Sequence, residues 1–177
     1  MKFMPTLQSG AYVIRLEPHG DDRGYFARTF CREEFAAHGL TFPVQQANTA
    51  FSANKGTVRG MHYQAEPHAE AKLVRCTRGR LFDVMIDLRP TSATYCQWFG
   101  RELTPDSGEM LYVPEGFAHG YQTLEADTEV TYQVSAAYAP EAERGVRWND
   151  PVFGIVWPLT DGLTLSPKDQ VWPDYQR

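Results

Sequence analysis

The 177-residue sequence lacks the marks of a membrane protein, an exported protein or a nucleic-acid-binding protein. It has no run of about 18 apolar residues that could span a bilayer, and its first residues lack the apolar segment of a secretory signal. Its net charge of −5 provides no broad basic surface, so neither nucleic acid nor an anionic membrane is expected as a partner. The length and the 42% hydrophobic content instead predict one folded domain spanning residues 1–177.

Cysteine is scarce, and its pattern argues against a disulfide framework. Cys31, Cys76 and Cys96 are odd in number, and no two of them have the C-x-x-C spacing of redox or metal motifs. We therefore expect free thiols in a reducing cytoplasm. The sequence also lacks the G-x-S-x-G turn of serine hydrolases and the glycine-rich loops that hold phosphates or dinucleotides.

Histidines are too scattered to indicate a metal site. A jelly-roll metal centre typically uses two histidines close together on one strand, but the position two residues after His62 is Gln64. The other histidines are His19, His38, His68 and His119. We predict that the chain binds no metal.

Prolines and glycines interrupt the sequence about every ten residues, a rhythm that indicates many short strands. The expected strands are 11–16, 25–30, 44–50, 59–64, 71–77, 80–88, 97–103, 110–113, 117–124 and 129–135. Residues 71–88 read as the clearest hairpin, and 32–38 followed by Gly39 as a short helix. The pattern predicts an all-β fold: an antiparallel jelly-roll (cupin-like) barrel with one or two short helices. The tail from Tyr138 onward is expected to wrap around its outside.

The stretch Arg59-Gly60-Met61-His62-Tyr63-Gln64 concentrates a guanidinium, an imidazole, a phenol and an amide. In a strand, alternate side chains share a face, so His62 and Gln64 should point opposite to Met61 and Tyr63. A histidine aimed into an apolar barrel is a candidate for proton transfer, because imidazole can be a neutral base at physiological pH. The same pattern also fits a buried histidine that is satisfied by a backbone carbonyl.

A base needs an orienting group, a cation for the developing negative charge, and an acid that returns the proton. Asp169, Lys72 and Tyr132 are candidates for these three tasks. Each residue could instead have a purely structural role. Asp169 could be a solvated turn residue, Lys72 a solvated residue of an edge strand, and Tyr132 a core residue.

A series of short motifs occurs in one order between residues 22 and 169. The motifs are Asp22-Arg23-Gly24-Tyr25-Phe26, Gln46-Ala47-Asn48, Arg59-Gly60-Met61-His62-Tyr63-Gln64, Ala71-Lys72-Leu73-Val74-Arg75, Asp83-Val84-Met85-Ile86-Asp87-Leu88-Arg89, Pro114-Glu115-Gly116-Phe117-Ala118-His119-Gly120, Trp148-Asn149-Asp150-Pro151, Trp157-Pro158 and Leu165-Ser166-Pro167-Lys168-Asp169. In their residues and their order along the chain, these motifs resemble those of the dTDP-4-dehydrorhamnose 3,5-epimerase family of nucleotide-sugar biosynthesis.

This resemblance implies a metal-free, cofactor-independent jelly-roll enzyme that acts on a nucleotide-diphosphate sugar as a homodimer. The implied reaction converts dTDP-4-dehydro-6-deoxy-D-glucose into dTDP-4-dehydro-L-rhamnose by removing and returning protons at C3 and C5. His62 matches the family's base and Asp169 the carboxylate that orients it. Lys72 matches the lysine near the C4 carbonyl oxygen, and Tyr132 matches the proton donor.

The resemblance also implies a set of substrate-binding residues. They are Arg23, Phe26, Arg28, Gln46, Asn48, Arg59, His119, Tyr138, Glu143 and Lys168. Several of them grip the diphosphate, a task that suits arginine because its planar fork pairs with phosphate oxygens. Tyr138 matches an aromatic residue that stacks on the nucleotide base.

Two positions depart from the family pattern. Arg28 stands where the family usually has glutamate, and Gln133 replaces a common lysine. These departures leave one alternative open, and a second alternative comes from another class of protein. The first is an epimerase that inverts only C3 or C5 of a dTDP- or CDP-linked keto-deoxy sugar. The second is a jelly roll that binds a sugar without catalysis.

Overall fold

The chain folds into two antiparallel β-sheets with a hydrophobic core between them, which confirms the predicted jelly-roll class. The computed structural model describes residues 1–176 and contains, within them, thirteen strands and two short α-helices. The strands are β1 (Lys2–Pro5), β2 (Tyr12–Arg15), β3 (His19–Asp21), β4 (Gly24–Phe26), β5 (Gln46–Ser52), β6 (Val58–Gln64), β7 (Lys72–Arg78), β8 (Leu81–Asp87), β9 (Trp98–Leu103), β10 (Glu109–Val113), β11 (Phe117–Thr123), β12 (Thr128–Val134) and β13 (Glu143–Gly145). The helices are α1 (Arg32–Ala37) and α2 (Pro167–Gln170). Neither of these helices has the length and apolar character needed to cross a membrane.

The two sheets contribute alternate side chains to a shared interior. One sheet has six strands in the order β1-β2-β10-β7-β12-β5, and the other has five in the order β13-β6-β11-β8-β9. Val74 and Cys76 of β7 meet Leu81 and Met85 of β8 in this interior, and all four are fully buried. Removing this apolar surface from water is the main force that holds the sheets together. Strands β3 and β4 stand apart as a hairpin that pairs with neither sheet.

The predicted hairpin at residues 71–88 is wrong. Strand β7 pairs with β10 and β12, whereas β8 pairs with β9 and β11, so the two strands lie in opposite sheets. The chain crosses between the sheets at Gly79, whose φ is +74°. A side chain there would place its Cβ only 2.5 Å from Oγ1 of Thr128. Two apolar strands joined by a glycine turn fit a hairpin and a crossing equally well, because the sequence does not reveal the partners of either strand.

The segment between β4 and β5 packs over the outer face of the six-stranded sheet. The strand predicted at 25–30 ends early, at Phe26, because Phe30 turns aside to contact Phe35 of α1. Phe35 is fully buried among other apolar residues, and the helix lies close to its predicted position at 32–38. This segment thereby covers apolar surface that the sheet would otherwise expose to water.

The tail beyond Tyr138 wraps around the outside, as its composition predicts. Phe153 and Trp157 pack against Val84 and Ile86 on the outer face of the five-stranded sheet. The chain then returns through α2, which contacts β6. This return brings the C-terminal region back to the strand that carries His62.

Candidate active site

A cavity of about 450 Å³ opens between the two sheets. A second compartment of about 390 Å³ shares three of its lining residues, namely His62, Lys72 and Tyr132. The two compartments therefore meet at three of the four predicted catalytic side chains. The fourth, Asp169, lines the first compartment.

The strands place His62 opposite Lys72 and Tyr132. His62 lies on β6 of the five-stranded sheet, whereas Lys72 on β7 and Tyr132 on β12 belong to the six-stranded sheet. Tyr132 is registered with Val74, and Val134 with Lys72, so Tyr132 and Lys72 are diagonal neighbours on one face. A ligand between the sheets would thus have the imidazole on one side and the ammonium and phenol on the other.

A bulge in β6 turns Arg59 toward the same cavity as His62. Strict alternation would point side chains three residues apart in opposite directions. The pairing of β6 with β11 shifts register between these two positions, at Gly60. Gly60 has a φ of +131°, and a Cβ there would lie 2.6 Å from the Cα of Gly120. The glycine permits the shift, which places a guanidinium and an imidazole along one wall.

His62 and Asp169 form a directly hydrogen-bonded pair, with 2.6 Å between Nε2 and Oδ1. Asp169 is held by its own short helix, where the backbone N–H of Asp169 donates to Oγ of the N-cap residue Ser166. Burial raises the pKa of the Asp169 carboxyl, but the hydrogen bond and charge of His62 and the bond to Ser166 outweigh it and hold the pKa below its ordinary range. An ionised Asp169 accepts the proton on Nε2, which leaves the Nδ1 lone pair of a neutral imidazole free as a base.

Glu70, which is not among the residues predicted from the sequence, contacts Lys72 and raises the pKa of Tyr132. Lys72 Nζ lies 3.1 Å from Oε1 of Glu70, and both side chains are nearly buried. Burial is the largest influence that raises the pKa of the Tyr132 phenol; the charge of Glu70 raises it further, and the charge of Arg59 lowers it. Tyr132 therefore keeps its proton at neutral pH. The i, i+2 spacing of Glu70 and Lys72 was the one available sequence signal for this pair.

His119 belongs to a second histidine–aspartate pair at the cavity wall. Its Nε2 lies 2.8 Å from Oδ1 of Asp83, and the pair is buried. His119 is registered with His62 across β11 and β6, so the two imidazoles stand on adjacent strands. Asp83 belongs to one of the family motifs, but the sequence does not show that it pairs with His119, because it reads as one more alternating residue of β8. Within residues 1–176, no three histidine, cysteine or acidic side chains come together as a possible metal site.

The second compartment contains a network of predicted binding residues. Oε2 of Glu143 accepts hydrogen bonds from the Tyr138 phenol at 2.7 Å and from Lys168 Nζ at 2.5 Å. The backbone N–H of Tyr138 donates to Oε1 of Gln46 at 2.9 Å. Seven of the ten predicted binding residues line one compartment or the other. They are Gln46, Asn48, Arg59, His119, Tyr138, Glu143 and Lys168.

The remaining three predicted binding residues lie outside both compartments. Arg23 is 89% exposed and pairs with Asp21 within the β3–β4 hairpin. Phe26 is 70% exposed on the same hairpin, and Arg28 pairs with Glu34 of α1 at 3.1 Å. The fold of this one chain does not bring them to the cavity, and their role in binding stays a prediction.

The sequence profile of the dTDP-4-dehydrorhamnose 3,5-epimerase family matches residues 5–177. The chain belongs to this family. It is also similar to the dTDP-4-dehydrorhamnose 3,5-epimerase of Sinorhizobium fredii, with 48% identity over 161 residues that cover 91% of this chain and 83% of that protein. Family membership makes the protein an isomerase, specifically an epimerase.

Solved epimerase structures share the fold almost throughout. A dTDP-6-deoxy-D-glucose-3,5-epimerase from Legionella pneumophila, in complex with dTDP-4-keto-L-rhamnose, superimposes with a TM-score of 0.92 at 34% identity, over 98% of this chain and 92% of that one. A 3′-monoepimerase from Streptomyces bikiniensis, in complex with dTDP-quinovose, has a TM-score of 0.89 at 34% identity, over 96% of this chain and 86% of that one. The same jelly roll therefore occurs in epimerases named for two inverted carbons and in one named for a single carbon.

Replacing Asp169 by asparagine should weaken the dependence of stability on acid. Because the pKa of Asp169 is lowered from 3.8 in the folded chain, its ionised form stabilises the fold above that ordinary value. This stabilisation is lost as the pH falls through the folded-state pKa. Urea denaturation of the wild type should thus show a larger fall in unfolding free energy, from about pH 5 to about pH 3, than that of Asp169→Asn. Asp161→Asn, a change at an exposed aspartate, is the control. Parallel curves of unfolding free energy against pH for Asp169→Asn and the wild type would contradict the lowered pKa of Asp169.

Proposed function

We propose that this epimerase converts dTDP-4-dehydro-6-deoxy-D-glucose into dTDP-4-dehydro-L-rhamnose by inverting C3 and C5. The observation that carries the proposal is that the hydrogen-bonded His62–Asp169 pair faces Lys72 and Tyr132 across one cavity. We take residues 1–177 to act as one catalytic domain. A cytoplasmic location is part of the proposal and is supported by three free cysteines.

The first step is removal of a proton beside the sugar's C4 ketone. The ketone acidifies the hydrogens at C3 and C5, because it can take up the electron pair of the broken C–H bond as an enolate. Nδ1 of His62 accepts the proton, and Asp169 holds the ring and stabilises the imidazolium that forms. The ammonium of Lys72 stabilises the enolate oxygen, an interaction that strengthens as negative charge develops there. These steps need only side chains and the substrate's own carbonyl.

The second step is return of a proton to the opposite face of the ring. Tyr132 is the proposed donor, because its raised pKa keeps the phenol protonated and it lies on the sheet opposite to His62. The C–H bond forms as the enolate electron pair takes the phenolic proton. The charge of nearby Arg59 favours the phenolate that is left behind. Proton exchange with solvent then resets His62 and Tyr132.

Charged and aromatic side chains around the cavity suit the diphosphate and the base of a nucleotide-diphosphate sugar. Arg59 is held by Ser52 Oγ at 3.2 Å and by the Phe51 carbonyl at 3.0 Å, which fixes its fork at the cavity wall. Together with His119 it forms a donor-rich wall for phosphate oxygens. Tyr138, 56% exposed at the edge of the second compartment, is available for stacking on the base.

We also propose that the active form is a homodimer in which the β3–β4 hairpin reaches the partner's cavity. The hairpin pairs with neither sheet of its own chain, yet it exposes two aromatic side chains, Tyr25 and Phe26, beside Arg23. Exposed apolar clusters of this kind are typical of interaction surfaces. In this arrangement Arg23, Phe26 and Arg28, which lie outside the cavity of their own chain, would contribute to the partner's site.

A single-site epimerase is the second candidate. It is supported by the likeness to the Streptomyces bikiniensis 3′-monoepimerase and by the arginine at position 28. A CDP-linked substrate belongs to the same alternative. Gln133, the other departure, lines neither compartment but lines a smaller pocket of about 200 Å³ that also borders Asn48 and Tyr132.

Deuterium exchange separates the candidates. The wild type, incubated with dTDP-4-dehydro-6-deoxy-D-glucose in heavy water, should incorporate deuterium at both C3 and C5, as measured by NMR. His62→Ala should slow both exchanges by roughly 10²- to 10⁴-fold, because a general base is lost, and should leave dTDP binding near normal. His38→Ala, which removes an exposed histidine stacked on Phe3, is the control.

Each other outcome of this experiment has a defined meaning. Exchange at one carbon only would replace the proposal by the single-site epimerase. Binding of dTDP without any exchange would favour a non-catalytic sugar-binding protein. A His62→Ala variant with more than about a tenth of wild-type exchange would remove His62 as the base.

Tyr132→Phe should separate exchange from inversion. Without the phenolic proton, His62 can still remove the sugar proton and return a deuteron to the same face. We therefore expect near wild-type exchange into the starting sugar and a loss of inverted product of roughly 10²-fold, both followed in one NMR time course. Tyr112→Phe, a buried tyrosine outside the cavity, should change neither rate. Wild-type rates of both processes in Tyr132→Phe would leave Tyr132 a packing residue.

Mixed dimers test whether the hairpin serves the partner's site. Arg23→Ala and His62→Ala should each be impaired alone. Co-expressed, they should form hybrid dimers in which one cavity has an intact His62 and receives an intact Arg23 from the partner, restoring about a quarter of the wild-type sites. Light scattering should show a dimer. An active monomer, or hybrids no better than the separate variants, would reject this assembly.

A further inference from the structure

Gly145 leaves a gap in the sheet directly beside the catalytic histidine. It lies on β13 and is registered with His62 on β6. Its φ is not in the left-handed region, so the backbone conformation does not require glycine. The neighbouring space does, because a Cβ there would lie 2.3 Å from Cε2 and 2.7 Å from Nε1 of Trp172. An indole therefore fills the place that a side chain at position 145 would occupy.

The indole of Trp172 stands between the dyad and the outside of the barrel. Its ring centroid is 6.1 Å from that of His62 at an angle of 64°, an edge-to-face arrangement. Lys168, the residue before Asp169, places its ammonium 5.7 Å from the centre of the same indole. The indole N–H is buried without a hydrogen bond of regular geometry among residues 1–176, yet it lies close enough to Asp169 to help lower the pKa of that carboxyl, so the ring contacts both members of the dyad.

The chain holds Trp172 from both sides. On one side α2 ends just before it, with the Val171 N–H donating to the Lys168 carbonyl. On the other side the tail is tied back to the segment after β13. The Arg147 N–H donates to the Pro173 carbonyl at 3.3 Å, and Arg147 pairs with Asp174 at 2.7 Å. The indole is thus held in place behind the His62–Asp169 pair.

We propose that Trp172, seated against Gly145, is a positioning residue for the catalytic base: it fixes the orientation of the His62 ring and keeps water from the His62–Asp169 hydrogen bond. The inference rests on the proposed role of His62. Trp172 does not line either compartment, so it acts through the dyad and not through contact with substrate.

The physical reason lies in what holds the imidazole. The ring is anchored to Asp169 through one nitrogen, and 30% of the His62 side chain is exposed. A single hydrogen bond does not stop the ring from tilting, whereas a bulky aromatic neighbour restricts that motion. Removing the indole would also admit water to a carboxylate that is now 5% exposed. Small misplacements of a catalytic group can cost as much as about 100-fold in rate.

A first experiment measures the dyad without substrate. The proton on Nε2 of His62 should give a resolved NMR signal in the wild type, because it is hydrogen-bonded and shielded from water. The signal should be lost through exchange with water in Trp172→Ala and in Gly145→Ala, and retained in Trp172→Phe. Trp98→Ala, which removes a tryptophan packed on Phe82 far from the dyad, is the control for general loosening and should retain it. Persistence of the signal in Trp172→Ala would overturn the inference, whether or not the chain proves to be an epimerase.

A second experiment measures catalysis. Trp172→Ala should lower kcat for deuterium exchange roughly 10- to 100-fold with KM changed less than about threefold, and Trp172→Phe should restore most of the rate. Gly145→Ala should lower kcat similarly, because it displaces the same indole. The double variant should be no worse than the poorer single one, since both changes act through one contact. Wild-type kcat in Trp172→Ala, or fully additive losses in the double variant, would reject the inference.

Discussion

The hydrogen bond between His62 and Asp169 joins two parts of the chain that are 107 residues apart, and the site depends on it. An imidazole alone on β6 would be one more partly buried histidine. The long tail places a carboxylate beside it only because Phe153 and Trp157 hold the tail against the outer face of β8. Packing on the outside of the barrel thus determines the chemistry on the inside. The backbone N–H of Asp169 donates to Ser166, the N-cap residue of α2, and this bond holds Asp169 in the first turn of the helix.

Several ionisable side chains are buried or nearly buried beside the cavity of this jelly roll. Transferring an isolated ion out of water costs several kcal/mol, so buried charges need partners. Glu70 meets Lys72, and Asp83 meets His119, each through a contact no longer than 3.1 Å. Because of these pairs, Lys72 and His119 line the cavity with a carboxylate partner each. Lys72, Asp83 and His119 all lie on strands that pair with a neighbour on each side, which keeps these short contacts in place.

Strand alternation was a good guide wherever one strand decided the answer. It placed His62 and Gln64 on the inner face of β6, and it separated the two faces of β8 correctly. It failed where the answer depended on partners, as in the supposed hairpin at 71–88, because hydrogen-bond partners leave no mark on a strand's own pattern. It also could not show that a bulge at Gly60 turns Arg59 inward. The family motifs indicated the principal side chains. They include Asp83 but do not show that its partner is His119, and Glu70 and Trp172 lie outside them.

His62 lies on one sheet and Lys72 and Tyr132 on the other, so the hydrophobic core between the sheets holds these side chains apart. The imidazole is fixed to one sheet, and the ammonium and phenol to the other, so their separation equals the thickness of the layer between them. Val74 and Val130 of the six-stranded sheet line the cavity and also belong to the buried core between the sheets. Protein interiors are close-packed and yield little to compression, so the distance is held without any direct bond between the facing groups. The volume of ordinary aliphatic side chains is in this way a geometric parameter of the reaction, and the enzyme's rate and its core packing are not independent properties.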